Sequence, residues 1–169
     1  MPSLSRSVGA ASVFVALAAL AWWLFPSDAR KIRRASEELA VLVSVPPGEA
    51  EVARLARASR LGQRLAEDFV AEVAEEPTWS ADRDTVVSYV ARLSGAPGGT
   101  TVTLDDLEVE VTAGGHAATA RAVATVREPD PRGGPDRLER REVSLAWQKR
   151  EGRWRPVRAT LGLARLGES

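Results

Sequence analysis

The spacing of apolar positions divides the chain into two unlike stretches. From about residue 28 to residue 95 they recur every three or four positions, the period of a helix. Beyond Gly99 they recur every second position, the period of a strand. Ser27 or Asp28 can cap the first helix, whose apolar stripe is Ala29, Ile32, Ala35, Leu39 and Leu42. Arg34 and Glu38 stand four apart on it and predict an ion pair. Pro46-Pro47-Gly48 breaks this helix near Val45. A second helix is predicted from about Glu49. Val52, Leu55, Ala58 or Ser59, Leu65 and Ala66 face inward on it, and Arg54, Arg57, Arg60 and Arg64 lie outside. Residues 69–76 fit either an extension of that helix or a short strand with Phe69, Ala71 and Val73 on one face. Pro77-Thr78-Trp79-Ser80 reads as a loop. Ser80 or Asp82 then caps a third helix with Val86, Val87, Val90 and Leu93 inward, stopped by the glycines of residues 95–99.

Four strands follow. Residues 101–112 alternate, with a change of parity across Asp105-Asp106 that predicts a bulge. Ala113-Gly114-Gly115-His116 is a hairpin turn, and residues 117–127 return with Ala118, Ala120, Ala122, Ala124 and Val126 on one face. That face is small enough for a helix to approach closely. A Pro/Gly-rich loop at 128–136 leads to a strand over 138–149, with Val143, Leu145 and Trp147 on one face. A tight turn at 150–153 leads to the last strand, over 154–163, where Pro156 marks a bulge or an edge. Helices first and an antiparallel meander second predict an α+β domain with helices on one face of a curved sheet.

Ahead of this domain, residues 8–25 (VGAASVFVALAALAWWLF, from Val8 to Phe25) contain no charge. Eighteen apolar residues suffice to cross a bilayer as a helix. Trp22-Trp23 stands at the edge of the segment, where aromatic rings favour the membrane interface. The expectation is a single transmembrane anchor over residues 1–26 and one domain over residues 27–166; a cleaved secretory signal is the alternative. The segment makes the bilayer itself a partner. Arg30, Lys31, Arg33 and Arg34 after it favour a cytoplasmic domain by the positive-inside rule. Small domains on short bacterial anchors more often lie outside the cytoplasm. The sidedness expected is extracytoplasmic, on a bacterial inner membrane.

Composition narrows the chemistry. The chain has 169 residues with 23 basic and 23 acidic side chains, one His and no Cys. Absent cysteine excludes disulfides and thiolate zinc sites. A single His makes a histidine metal site or catalytic triad improbable, and no cofactor is expected. A zero net charge gives no sign of nucleic-acid binding. The charges are nonetheless unevenly placed: residues 67–84 carry seven acids and one Arg, while residues 137–158 carry eight bases and three Glu. The two segments can offset each other in space.

Three stretches together resemble the nuclear transport factor 2-like superfamily, which includes ketosteroid isomerase, scytalone dehydratase and the SnoaL-like cyclases. Ala66-Glu-Asp-Phe-Val-Ala-Glu-Val73 with Asp82-Arg-Asp-Thr-Val-Val87 is similar to its short strand and the start of its third helix. Leu107-Glu-Val-Glu-Val-Thr with Ala118-Thr-Ala-Arg-Ala122 is similar to its central hairpin. Arg141-Glu-Val-Ser-Leu-Ala-Trp147 through Gly152-Arg-Trp-Arg-Pro-Val-Arg158 is similar to its closing strands. Asp82 stands where the group has Gly, and Pro156 where it has an aliphatic residue. The resemblance implies a cystatin-like cone, a strand rather than a helix over residues 69–73, and frequent homodimers through the sheet face.

Enzymes of that superfamily work inside the cone with paired acids and bases. Here His116 falls in a turn, and the adjacent Asp82, Arg83 and Asp84 point in different directions at a helix start. The expectation is therefore a non-catalytic binding or assembly module. Trp79, Tyr89, Arg121, Trp147 and Trp154 are the candidate lining of a pocket for a small apolar ligand, with the outer sheet surface as the alternative place for Trp154 and Arg121. The rival expectation is a small isomerase or dehydratase acting on an apolar substrate.

Overall fold

The computed structural model describes residues 27–93, 98–130 and 132–164. The anchor expected over residues 8–25 lies outside the described residues. No helix among the described residues is long and apolar enough to cross a membrane.

The order of elements is α1 (Asp28–Val43), α2 (Glu51–Arg64), β1 (Val70–Val73), β2 (Glu76–Asp82), α3 (Arg83–Arg92), β3 (Thr101–Val111), β4 (Ala117–Glu128), β5 (Arg137–Arg150) and β6 (Arg153–Leu163). The strands form one six-stranded sheet in the order β2-β1-β6-β5-β4-β3. All neighbours are antiparallel except β1 and β6, which run parallel. The meander β3 to β6 joins successive antiparallel strands by two short turns and, between β4 and β5, the Pro/Gly-rich loop. β1 joins its open edge because residues 70–73 form a strand rather than a helix, as the resemblance implies.

The strand register fixes two faces. Ala118, Ala120 and Ala122 lie opposite Trp147, Leu145 and Val143, and Leu145 lies opposite Ala159. These residues share the inner face. Helix residues Ile32, Leu39, Leu42, Ala58, Leu61 and Val90 pack with Ala118, Ala120, Trp147 and Ala159 in one core. The small alanine side chains admit α1 at close range, as their spacing predicts. Gly62 does the same between helices, since a Cβ there would lie 3.2 Å from Val87 Cγ2. The parity change at Asp105-Asp106 is a bulge, with register lost between Asp105 and Glu108 and Asp106 at φ 53°. Pro156 sits at a second bulge, buried opposite Trp147.

Caps are local and legible. Ser27 Oγ accepts from Arg30 N at the start of α1, and Asp82 accepts from Thr85 N at 2.8 Å at the start of α3.

Three sequence expectations are corrected. Residues 77–80 are not a loop but the middle of β2. That strand is an edge strand with one neighbour, so Pro77 costs no ladder hydrogen bond on its open side. On α2, Val52 and Leu55 are 79% and 52% exposed, while Arg57 is buried. The stripe is rotated, because Ala58, Leu61 and Gly62 are the residues that meet α1 and α3. Glu38 is held by Arg64 of α2 at 2.6 Å rather than by Arg34. An antiparallel neighbour helix offers a better-placed partner than the next turn does.

Candidate functional site

Two surfaces compete as the functional site: the interior between helices and sheet, and the outer face of the sheet.

The interior is apolar. Trp147 is 2% exposed and stands between Ala118 and Pro156. Trp154 lies on the same face beside it, cross-strand from Lys149, whose Nζ is 5.6 Å from the centre of its ring. Asp28, at the start of α1, accepts from Lys149 Nζ at 2.8 Å and from Lys31 Nζ at 3.2 Å. These contacts hold its pKa down to about 2. The Lys149 hydrogen bond is the main cause, with the Trp154 indole and Lys31 helping. The indole is near enough to favour the charged carboxylate, yet its Nε1 completes no hydrogen bond of normal geometry. Ser36 Oγ, Trp147 Nε1 and Trp154 Nε1 are buried and have no hydrogen-bond partner among the described residues. Buried polar atoms are normally paired, so these three are the polar handles the interior offers.

Carboxylates with a resolved shift are all pushed toward the ionised form. Arg57 lowers Glu49, Arg150 lowers Asp68, and the hydroxyl and amide of Thr85 lower Asp82. A general acid needs the opposite shift, produced by desolvation. The one buried charged cluster among the described residues is Arg57 with Glu49. Nε and Nη2 donate to the two carboxylate oxygens at 2.9 and 2.8 Å, and Nη1 donates to the Leu42 carbonyl at 2.8 Å. It ties α2 to the end of α1.

The five residues predicted to line a pocket do not converge. Trp147 and Trp154 share the inner face. Arg121 pairs in register with Ser144 and therefore lies on the opposite face, ion-paired with Glu110 at 3.3 Å. Trp79 is exposed on edge strand β2, and Tyr89 is 61% exposed on α3. His116 is an exposed turn residue. Among the described residues no group of acids and His is placed to hold a metal ion.

The outer face carries Thr119, Arg121 and Val123 of β4, Glu142, Ser144 and Ala146 of β5, and Arg158 and Thr160 of β6. None of these belongs to the core, and all the helix residues of the core pack on the other side. Its centre consists of small side chains, with Thr119, Val123, Ser144, Ala146 and Thr160 half-buried. Charges of both signs surround that centre, and the acidic segment does offset the basic one. Asp68 meets Arg150 at 2.7 Å, Glu72 meets Arg158 at 3.7 Å and Glu75 meets Arg141 at 4.0 Å. Of the two places the sequence leaves open for Arg121, pocket or outer sheet surface, the structure takes the outer one. Its odd position, against the even alanines of β4, is the signal that assigns it outward.

No protein-family model matches this chain, and no curated protein matches it. Solved structures do. The CaMKII hub homology domain of Chlamydomonas reinhardtii is similar with a TM-score of 0.63 at 14% identity, over 83% of this chain and 100% of that one. The association domain of C. elegans CaMKII gives 0.60 at 15%, over 78% and 92%. An NTF2-like protein with a cystatin-like fold from Novosphingobium aromaticivorans gives 0.57 at 17%, over 98% and 94%. The described domain thus has the nuclear transport factor 2-like fold, α+β with helices on a curved sheet.

Proposed function

We propose that this chain, built on the nuclear transport factor 2-like fold, is a membrane-anchored assembly module. In this reading residues 8–25 hold it in a bacterial inner membrane and the outer sheet face pairs with a second copy. The observation that carries the reading is that face, which no helix among the described residues covers. A sheet face of small residues with no helix over it is the natural site for another layer. Around a twofold axis each copy presents the same patch to the other, and a patch with both charge signs can be complementary to itself. Two of the similar structures are association or hub domains by name, which agrees with this use of the fold.

The interior supports the same reading. Its lining is apolar, its tryptophans fill space, and the ionised carboxylates described above lie in ion pairs and caps. Because the chain contains no Cys, a single Ser144→Cys substitution in the full chain gives a clean test. Oxidation in isolated membranes should yield a band of twice the mass, whereas His116→Cys should not. A Ser144→Cys chain that stays single under oxidation would overturn the pairing. A reporter active only outside the cytoplasm, fused after Ser169, tests the proposed extracytoplasmic side; a silent, membrane-bound fusion would reverse it.

A second reading is favoured by the unpartnered Ser36 Oγ and Trp147 Nε1. A small apolar ligand bearing one hydrogen-bond acceptor would satisfy these donors inside the cone. A ligand at 100 times its dissociation constant raises stability by about 2.7 kcal/mol. Melting with a panel of apolar ketones and alcohols would reveal it. An isomerase or dehydratase would in addition turn over such a compound.

A further inference from the structure

Four separated parts of the chain meet at one end of the domain. Asp28 begins α1 there and binds Lys149 near the end of β5. Lys149 N donates to His116 O at 2.8 Å, which brings in the turn between β3 and β4. Arg150 grips Asp68 through both oxygens at 2.7 Å, which brings in the connection between α2 and β1. The turn Glu151-Gly152, with Arg153 after it, closes the set. The opposite end of the domain holds the residues after α1, where Val45 pairs with Thr100, and Gly98 packed beside Pro129.

The first end is basic. Arg33, Arg34 and Arg153 are exposed and make no ion pair among the described residues. Lys31 and Lys149 share the one carboxylate of Asp28. Asp28, Asp68, Glu67 and Glu151 are the acids of this end, four against the six bases Lys31, Arg33, Arg34, Lys149, Arg150 and Arg153. This end is also where the apolar segment enters. Only Pro26 and Ser27 separate residue 25 from Asp28, and the three steps of chain between them span at most about 11 Å. The start of α1 therefore lies within about one Debye length of any bilayer that holds residues 8–25, the range over which anionic lipids attract Lys and Arg.

We propose that this end of the domain is a bilayer-facing surface on which Lys31, Arg33, Arg34 and Arg153 hold anionic phospholipid headgroups. The proposal rests on reading residues 8–25 as the anchor. It sets the domain upright: the basic end lies on the membrane, α1 rises away from it, and the outer sheet face stands across the surface, free to meet a second copy in the same bilayer. Guanidinium groups suit the headgroup phosphate because they donate in pairs to its oxygens.

The full chain is reconstituted into vesicles of phosphatidylcholine alone or with phosphatidylglycerol, carrying a headgroup quencher. One cysteine at His116→Cys reports the basic end and one at Arg132→Cys the opposite end. The expected result is severalfold stronger quenching at the first site, increased by phosphatidylglycerol and reversed by Arg33→Glu, Arg34→Glu and Arg153→Glu together. Equal quenching at both ends, or no effect of phosphatidylglycerol or of the reversed charges, overturns the proposal. Flotation of the same samples after an alkaline wash separates the two readings. A chain that floats with both lipids but shows no preference keeps the anchor and loses the headgroup surface. A chain that binds only phosphatidylglycerol and washes off keeps the surface and loses the anchor. A chain that floats with neither loses both.

Discussion

Asp28 and Lys149 are 121 residues apart in sequence and 2.8 Å apart in space. Their contact ties the first turn of α1 to the last residues of β5, so the helix that follows the apolar segment is fixed to the sheet from its start. The pKa of Asp28, held at about 2, gives the contact a pH signature. An unfolded Asp titrates near about 3.9. The folded value is depressed, so the contribution is present in full above about pH 4 and is lost as pH falls toward about 2. Asp28→Asn should destabilise by about 1 kcal/mol at pH 7. Urea melts of both proteins should converge as pH falls through that window. A gap that stays constant to pH 2 would refute the assignment.

The pair Arg57–Glu49 should behave as a unit. Both side chains are almost fully buried, and removing one partner leaves the other charged, desolvated and alone. Arg57→Met should cost about 3–5 kcal/mol. Adding Glu49→Leu should recover most of that loss, because no orphaned charge remains. Denaturant melts of the single and double variants decide it, and additive losses would show that the two residues act separately.

Ala120 is 1% exposed on the face that meets the helices. Ala120→Leu must push a helix away from the sheet or adopt a strained rotamer, and overpacking of this kind costs about 1–3 kcal/mol. Calorimetry should show a lower melting temperature. Thr119→Val, one position along but on the outer face, should leave it nearly unchanged.

Gly99 sets the approach of β3 to the end of α1. It sits at φ 79°, and a Cβ there would lie 2.6 Å from the Val45 carbonyl oxygen. That carbonyl accepts from Thr100 N at 2.8 Å, and Val45 N donates back to Thr100 O at the same distance. Gly99→Ala should destabilise by more than about 1 kcal/mol. The amides of Val45 and Thr100 should exchange hydrogen faster. Unchanged exchange would mean the turn adapts without opening.

Much of this architecture is readable from spacing alone. The even alanines of β4, the parity change at Asp105-Asp106 and the cap at Asp82 each leave a local signal, because strand faces, bulges and caps are decided within a few residues. What escaped was decided by distant partners. Arg57 looks like helix surface until Glu49 and the Leu42 carbonyl are seen to satisfy it. Residues 77–80 look like a loop because only an edge strand tolerates that proline, and edge position depends on the whole sheet. Trp79, Tyr89 and Arg121 stand apart from Trp147 and Trp154 for a simpler reason. Side-chain chemistry suits them to a pocket, and chemistry does not tell which face of an element a residue occupies.

The mass of the assembled full chain bears most directly on the account. Light scattering on the detergent-solubilised protein, corrected for detergent, would compare the native chain with Ser144→Arg. The substitution sets a bulky cation at the centre of the outer face while leaving the core untouched. The account predicts a native mass of at least two chains, falling to one chain in a variant that remains folded. A native protein of single-chain mass, or an assembly indifferent to Ser144→Arg, would contradict it.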